Sequence, residues 1–154
     1  MKKVKVGDIV IVANKGELKA YEAKPRTLEA EAGLKEDEVK LELLTDKDYI
    51  ATHKKLHEML TDEAGRFKGD ATKGASIGEE HNLQEEIEKR VLADIAKDIN
   101  ELEQKAPRKV FIAINEEIAN FVLERVHQEK VVKVVKKDYV KLPKEELLEK
   151  INKA

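Results

Sequence analysis

Two rhythms of apolar residues run along this chain, one of continuous or alternating runs and one of steps of three and four. "DIVIVAN" (8–14) is a nearly unbroken apolar run, the pattern of a strand covered on both faces. "NKG" (14–16) is a short turn with a permissive glycine, so "ELKAYEA" (17–23) is expected to return antiparallel. In "EVKLELL" (38–44), Val39, Leu41 and Leu43 alternate with Lys40 and Glu42, the period of a half-buried strand. The link between them, "PRTLEAEAGLKED", has turn residues at both ends and is expected to be irregular. "DYIATHKKLHEML" (48–60) predicts a short helix with Tyr49, His53, Leu56 and Leu60 near one stripe.

The longest helical pattern starts at Asn82, an N-cap residue with Glu85 at capping-box spacing. Leu83, Ile87, Val91, Leu92, Ile95, Ile99 and Leu102 recur at steps of three and four, and Pro107 stops the run. The chain then alternates. "KVFIAIN" (109–115) predicts a buried strand, and "EEIANFVLERVHQ" (116–128) a helix with Ile118, Phe121, Val122 and Val126 inward. "KVVKVVK" (130–136) predicts another strand. A closing helix carries Pro143 in its first turn, where a missing N–H costs nothing.

Strand–helix–strand crossovers require parallel neighbours and right-handed connections, whereas the opening hairpin requires an antiparallel pair. A mixed five-stranded sheet in order 3-2-1-4-5, the ribonuclease-H-like arrangement, satisfies both. Residues 8–14 and 109–115 then lie side by side at its centre. The fold class is therefore α/β, and 154 residues suit a single domain spanning 1–154.

Composition narrows the function classes. Hydrophobic residues are 41% and charged residues 40%, with a net charge of −2, so attraction of the whole molecule to nucleic acid or an anionic membrane is not expected. Any such contact needs a local basic patch. Absence of cysteine excludes disulfides and thiolate chemistry and suits a cytoplasmic location. The apolar run near the start is too short for a secretory segment, and no run approaches a membrane span.

Four of the seven glycines fall in "AGRFKGDATKGASIGEEHN" (64–82), within a glycine-rich loop expected to be flexible at about 61–81. Three readings compete: a plain connection, a phosphate or RNA contact, and a catalytic loop. Walker A is excluded, because "GDATKGAS" lacks the Gly-Lys-Ser/Thr ending and a preceding strand. Glycines ahead of a long helix could still offer N–H groups to an anion, aided by Arg66, Lys68 and Lys73. Asp62, Glu63, Asp70, Glu79 and Glu80 oppose that potential. His81, near the helix start, is the weak candidate for acid–base catalysis.

Other chemistry finds less support. A two-metal nuclease needs clustered carboxylates, but the central strands end in Asn14 and Asn115, and Asp8 only starts the first. His53 and His57 have the HxxxH spacing of a zinc motif, yet Lys54 stands where its glutamate belongs, and no third ligand is evident. They read as surface histidines on a helix rim. Ser76, the single serine, lacks a nucleophile elbow and has helix-capping spacing to Glu79. Lys130, Lys133, Lys136, Lys137, Lys141 and Lys144 suit a charged sheet edge better than a nucleic-acid patch. No metal or cofactor is expected.

"LTDEAGRFKG", then helix, strand, helix and strand, and the closing "KKDYVKLPKEELLEKI" resemble the bacterial family labelled host-attachment proteins. That family is similar to the middle domain of archaeal and eukaryotic peptide release factors and of Pelota. The resemblance covers nearly the whole chain and is most specific at Asp62–Arg66 and Asp138–Leu147. It departs after the fourth strand, where Ile114-Asn115-Glu116 replaces a frequent Pro-Pro-Arg. It implies a ribosome- or RNA-associated module. Release factors position water with Gly-Gly-Gln, which "GASIGEEHNLQ" lacks, so the reading leans away from an enzyme. Expectations are a non-catalytic module for the ribosome or structured RNA, a hydrolase of a nucleic-acid or peptidyl-tRNA ester, and an adhesion-related protein binder. No membrane partner is expected.

Overall fold

The first and fourth apolar runs bury every residue on both faces, and that places them at the centre of the molecule. Strand β1 (Ile9–Ala13) and β4 (Val110–Ile114) pair in parallel, Ile9 opposite Val110 and Ala13 opposite Ile114. The structure, a computed structural model, describes residues 2–67 and 77–154, and of 60–67 and 77–81 the backbone alone. β2 (Glu17–Pro25) runs antiparallel to β1, and β3 (Val39–Asp48) antiparallel to β2. β5 (Val131–Val135) joins β4 in parallel, giving one mixed sheet in the order β3-β2-β1-β4-β5. That is the mixed five-stranded sheet, in the strand order, expected from the sequence.

Alternation divides the strand side chains between two cores. Ile9, Ile11, Ala13, Leu18, Val110, Ile112 and Ile114 face one side, where α3 (Ile77–Lys105) supplies Ile87, Val91, Ile95 and Ile99. Helix α4 (Glu116–Leu123) adds Ile118, Ala119 and Val122 to the same core. Val10, Val12, Tyr21, Phe111 and Ala113 face the other side, covered by Val4, Val140 and by Leu147 and Ile151 of α5 (Lys144–Lys153). A sheet covered on both sides explains why β1 and β4 are apolar without interruption. Each fully buried aliphatic contributes about 1.5–3 kcal/mol of transfer free energy.

Five expectations need correction. The supposedly irregular link contains the short helix α1 (Leu28–Glu31). Thr27 caps it by accepting from the Ala30 N–H, and Gly33, at φ +80°, ends it with the 6→1 bond from Leu34 N to Glu29 O. Helix α2 (Ile50–Phe67) runs past residue 60, and α3 begins at Ile77, so Asn82 is interior and not a cap. The helix starts just after Ser76, the other residue with capping spacing; Ser76 itself lies outside the described residues. Helix α4 stops at Leu123 instead of 128, because Asn100 of α3 takes the next main-chain groups: its amide donates to Arg125 O and accepts from His127 N. Phe121 is only half-buried, with the Arg125 guanidinium 3.6 Å from its ring centre.

Smaller differences sit at strand and helix ends. β3 extends to Asp48, with a bulge at Leu44 opposite the Ala20/Tyr21 step, and such a bulge interrupts an exposed edge. Pro143 immediately precedes α5 as its cap position instead of lying in its first turn.

Candidate functional site

In open α/β sheets ligands are expected beyond the carboxyl ends of parallel strands, where the strand order reverses. Here that point lies between β1 and β4, and its first residues are Asn14 and Asn115. Asn14 Oδ1 accepts from the Gly16 and Glu17 N–H groups, both at 2.8 Å, which forms the turn into β2. Its Nδ2 donates to Asp138, 3.1 and 3.3 Å from the two carboxylate oxygens and 124 residues away in sequence. Asp138 also accepts from Val140 N at 3.2 Å. Asn115 N donates to Ala13 O, and its side chain caps α4 by accepting from Glu117 N at 2.9 Å. Each amide therefore has a structural task.

Asp138 is the carboxylate that strand-end reasoning missed, because a loop after β5 delivers it. The only sequence signal was its place in the closing motif. Among the described residues no group of three or more His, Cys, Asp or Glu side chains could hold a metal ion.

Helix α2 leaves the sheet on this same side. Tyr49 N donates to Gly16 O, which ties the start of α2 to the β1–β2 turn. The buried Tyr49 hydroxyl donates to Asp98 Oδ2 of α3 at 2.6 Å, and Lys47 Nζ meets Asp98 Oδ1 at 2.9 Å. Burial, then the bond to Asp98, pushes the phenol well above its ordinary value, so it remains protonated. His53 is half-buried, with Nε2 3.3 Å from Lys15 O, and lines a small hollow of about 150 Å3 with Lys15, Glu88 and Glu117. Lys15 and Glu88 pair at 3.3 Å across its mouth. His57 lies one helical turn further along the exposed surface of α2, so the two histidines share a helix without a third ligand being described.

Leu56 of α2 and Leu83 of α3 both pack against the core, so the two helices form a hairpin rooted on the sheet. Arg66 falls in α2 and His81 in α3, both with side chains outside the described residues. Lys68 and Lys73 lie outside the described residues altogether, with 68–76 of the loop expected at about 61–81; its two ends are instead helical, 61–67 in α2 and 77–81 in α3.

Three of the six lysines of the tail, Lys130, Lys133 and Lys136, are committed to the fold through their side chains. Lys130 Nζ donates to Gln104 O and Ala106 O, satisfying carbonyls at the end of α3, while its N–H meets buried Glu103. Lys133 Nζ donates to Lys2 O and Ile151 O, at 2.7 and 2.8 Å. Lys136 reaches Asn120 Oδ1 at 3.3 Å. β5 is an edge strand, as the charge pattern suggested.

Among the described residues no helix is long and apolar enough to cross a membrane. The family model described as "Protein required for attachment to host cells" matches residues 9–151. No curated protein matches the chain.

Proposed function

The chain belongs to the family of proteins required for attachment to host cells, and from that premise we propose that it works by binding, not catalysis, docking on structured RNA of the ribosome. The supporting observation is the α2/α3 hairpin: two helices rooted on the sheet by Leu56, Leu83 and the Tyr49–Asp98 bond, joined through the segment that carries Lys68 and Lys73. In this reading the sheet is ribonuclease-H-like and similar to the middle domain of release factors. Arg66, Lys68 and Lys73 supply the phosphate contacts, and the protein acts in the cytoplasm. The polar groups around Asn14 and Asn115 support it indirectly, since they are occupied in holding turns and caps.

Phosphate contacts release counterions, so binding should weaken steeply with salt. Co-sedimentation with ribosomes at low and high salt tests this, comparing the wild type with Arg66→Glu, Lys68→Glu, Lys73→Glu. Salt-sensitive binding lost in the triple variant is expected. Co-sedimentation unchanged by the variant would sink the proposal. The family description favours a second reading, a partner protein concerned with attachment. Detection of the protein at the cell surface with no ribosome-bound fraction would favour that one.

A further inference from the structure

The opposite end of the sheet has the properties that the carboxyl end lacks. A cleft of about 790 Å3 opens at the amino ends of β1 and β4, within the range typical of small-molecule sites. Lys2, Lys3, Lys5, Lys35, Arg108 and Lys109 line it against three carboxylates, in a chain whose net charge is −2.

Its walls are held in place by specific bonds. Residues 2–6 run extended along one side, tied by Val4 N to Asn152 Oδ1 at 2.8 Å, Lys5 N to Asp8 Oδ2 at 2.8 Å and Val6 N to Glu36 O at 2.9 Å. Val4 is fully buried, so alternation turns Lys3 and Lys5 away from the core and towards the cleft. Asp8, itself buried, accepts from Lys5 N and from Lys109 N, joining the segment before β1 to the segment before β4. Its charge is thereby engaged inside the fold, with Arg108 Nε 3.8 Å away. Gly7, at φ +91°, lets Arg108 lie along the backbone: a Cβ there would come within 3.2 Å of Arg108 Cδ. Arg108 Nη1 then donates to Val6 O.

The cations differ in their commitments. Lys35 pairs with Glu29 and Glu38, and Lys5 is 3.9 Å from Glu36. Among the described residues the ammonium groups of Lys2, Lys3 and Lys109 have no hydrogen-bond or ion-pair partner in the chain. Phe111 and Val132 contribute apolar lining, and Leu34 stands 78% exposed at the rim. Glu36 and Asp37 sit among the rim cations, which disfavours an extended polyanion laid across the mouth and suits a compact one seated between them.

We propose that this cleft binds a small phosphorylated compound, its phosphate groups among Lys3, Arg108 and Lys109 and an apolar portion against Leu34 and Val132. This is independent of the ribosome reading and uses no residue of the α2/α3 hairpin.

The test is thermal unfolding and calorimetric titration of the full chain with ADP, inorganic pyrophosphate and adenosine, without divalent cations. ADP at tenfold excess over its Kd should raise Tm by about 4 °C. Pyrophosphate should bind more weakly, and adenosine should give no shift. Lys3→Glu with Lys109→Glu, both exposed and unpaired, should weaken ADP on the order of tenfold or more. Lys141→Glu with Lys144→Glu, the same charge change elsewhere, should leave the affinity unchanged. Failure of both ADP and pyrophosphate to bind would overturn the proposal, as would equal losses in the two double variants. ADP and pyrophosphate binding equally would overturn the apolar half of it. A structured RNA hairpin bound through Lys3 and Lys109 with no ADP effect would replace it with a nucleic-acid surface.

Discussion

The two ends of this sheet are built from similar residues and differ in what those residues are doing. At the carboxyl end Asn14 forms a turn, Asn115 caps a helix, Asp138 receives Asn14, and Tyr49 is fastened to Asp98. Two hollows lie there, one of about 150 Å3 beside His53 and one of about 400 Å3 beside Tyr49 and Asp98. At the amino end Asp8 and Arg108 arrange the walls, while three ammonium groups that have no partner among the described residues face a cleft of about 790 Å3. The usual expectation of ligands at the carboxyl ends of strands relies on free donors at helix N-termini. Here Asn115 occupies such a donor with its own side chain, and the larger cleft opens at the other end.

The largest effect should come from Asp8, because it joins both segments bordering the cleft. Asp8→Ala leaves the Lys5 and Lys109 N–H groups without their acceptor, and should cost about 3 kcal/mol in urea unfolding. Asn14→Ala, the equivalent test at the carboxyl end, removes the acceptor of two turn N–H groups in a more exposed setting, and should cost about 1.5 kcal/mol. A greater loss from Asn14 than from Asp8 would reverse the comparison.

Two side chains sharpen it through pH, in opposite directions. Tyr49 is raised above its ordinary 10.0 by burial and by Asp98. Above about pH 10 the unfolded chain loses this proton and the folded chain keeps it, so the Tyr49 contribution to stability falls as pH rises. Tyr49→Phe should cost about 1.5 kcal/mol at neutral pH through the lost hydrogen bond, and should lack that decline. Lys133 is lowered from 10.5 by burial, so the folded chain releases this proton first. Its contribution therefore rises with pH across the interval below 10.5. Lys133→Met should cost about 1 kcal/mol at neutral pH, by leaving Lys2 O and Ile151 O without their donor, and should lack the rise. Urea midpoints between about pH 9 and about pH 11 separate the two slopes.

Much of the sheet was legible because β1 and β4 are buried on both faces, and that leaves an apolar run no other element explains. Its order followed from the Asn14–Gly16 turn and the crossover rules. What escaped was decided by contacts across the chain or by very short motifs. Helix α4 ends where Asn100, 25 residues from Arg125, claims its carbonyl. Helix α1 has four residues and depends on Thr27 and Gly33. The cleft was half visible: "KKVK" stands before one central strand and "PRK" before the other, and parallel neighbours must bring both to one end. Composition hid it, because a net charge near zero says nothing about how charge is distributed. The glycine-rich stretch drew attention instead, since its residue types were unusual, whereas the cleft is made of ordinary lysines in an unusual place.

The smallest effect is also the most discriminating. Lysines that serve the fold should be missed when removed, as with Lys130, whose ammonium satisfies two carbonyls at the end of α3. Lys3 and Lys109 have no such task, and each adds like charge to a wall already holding Arg108. Lys3→Gln with Lys109→Gln should therefore leave stability unchanged or raise it by about 0.3 kcal/mol, with the gain shrinking as salt screens the repulsion. Lys130→Gln should lower stability by about 1 kcal/mol with little salt dependence. Equal losses would mean that Lys3 and Lys109 support the fold and that the two ends are alike. A neutral or stabilising result, together with lost ADP binding, would separate their role in the cleft from any role in folding.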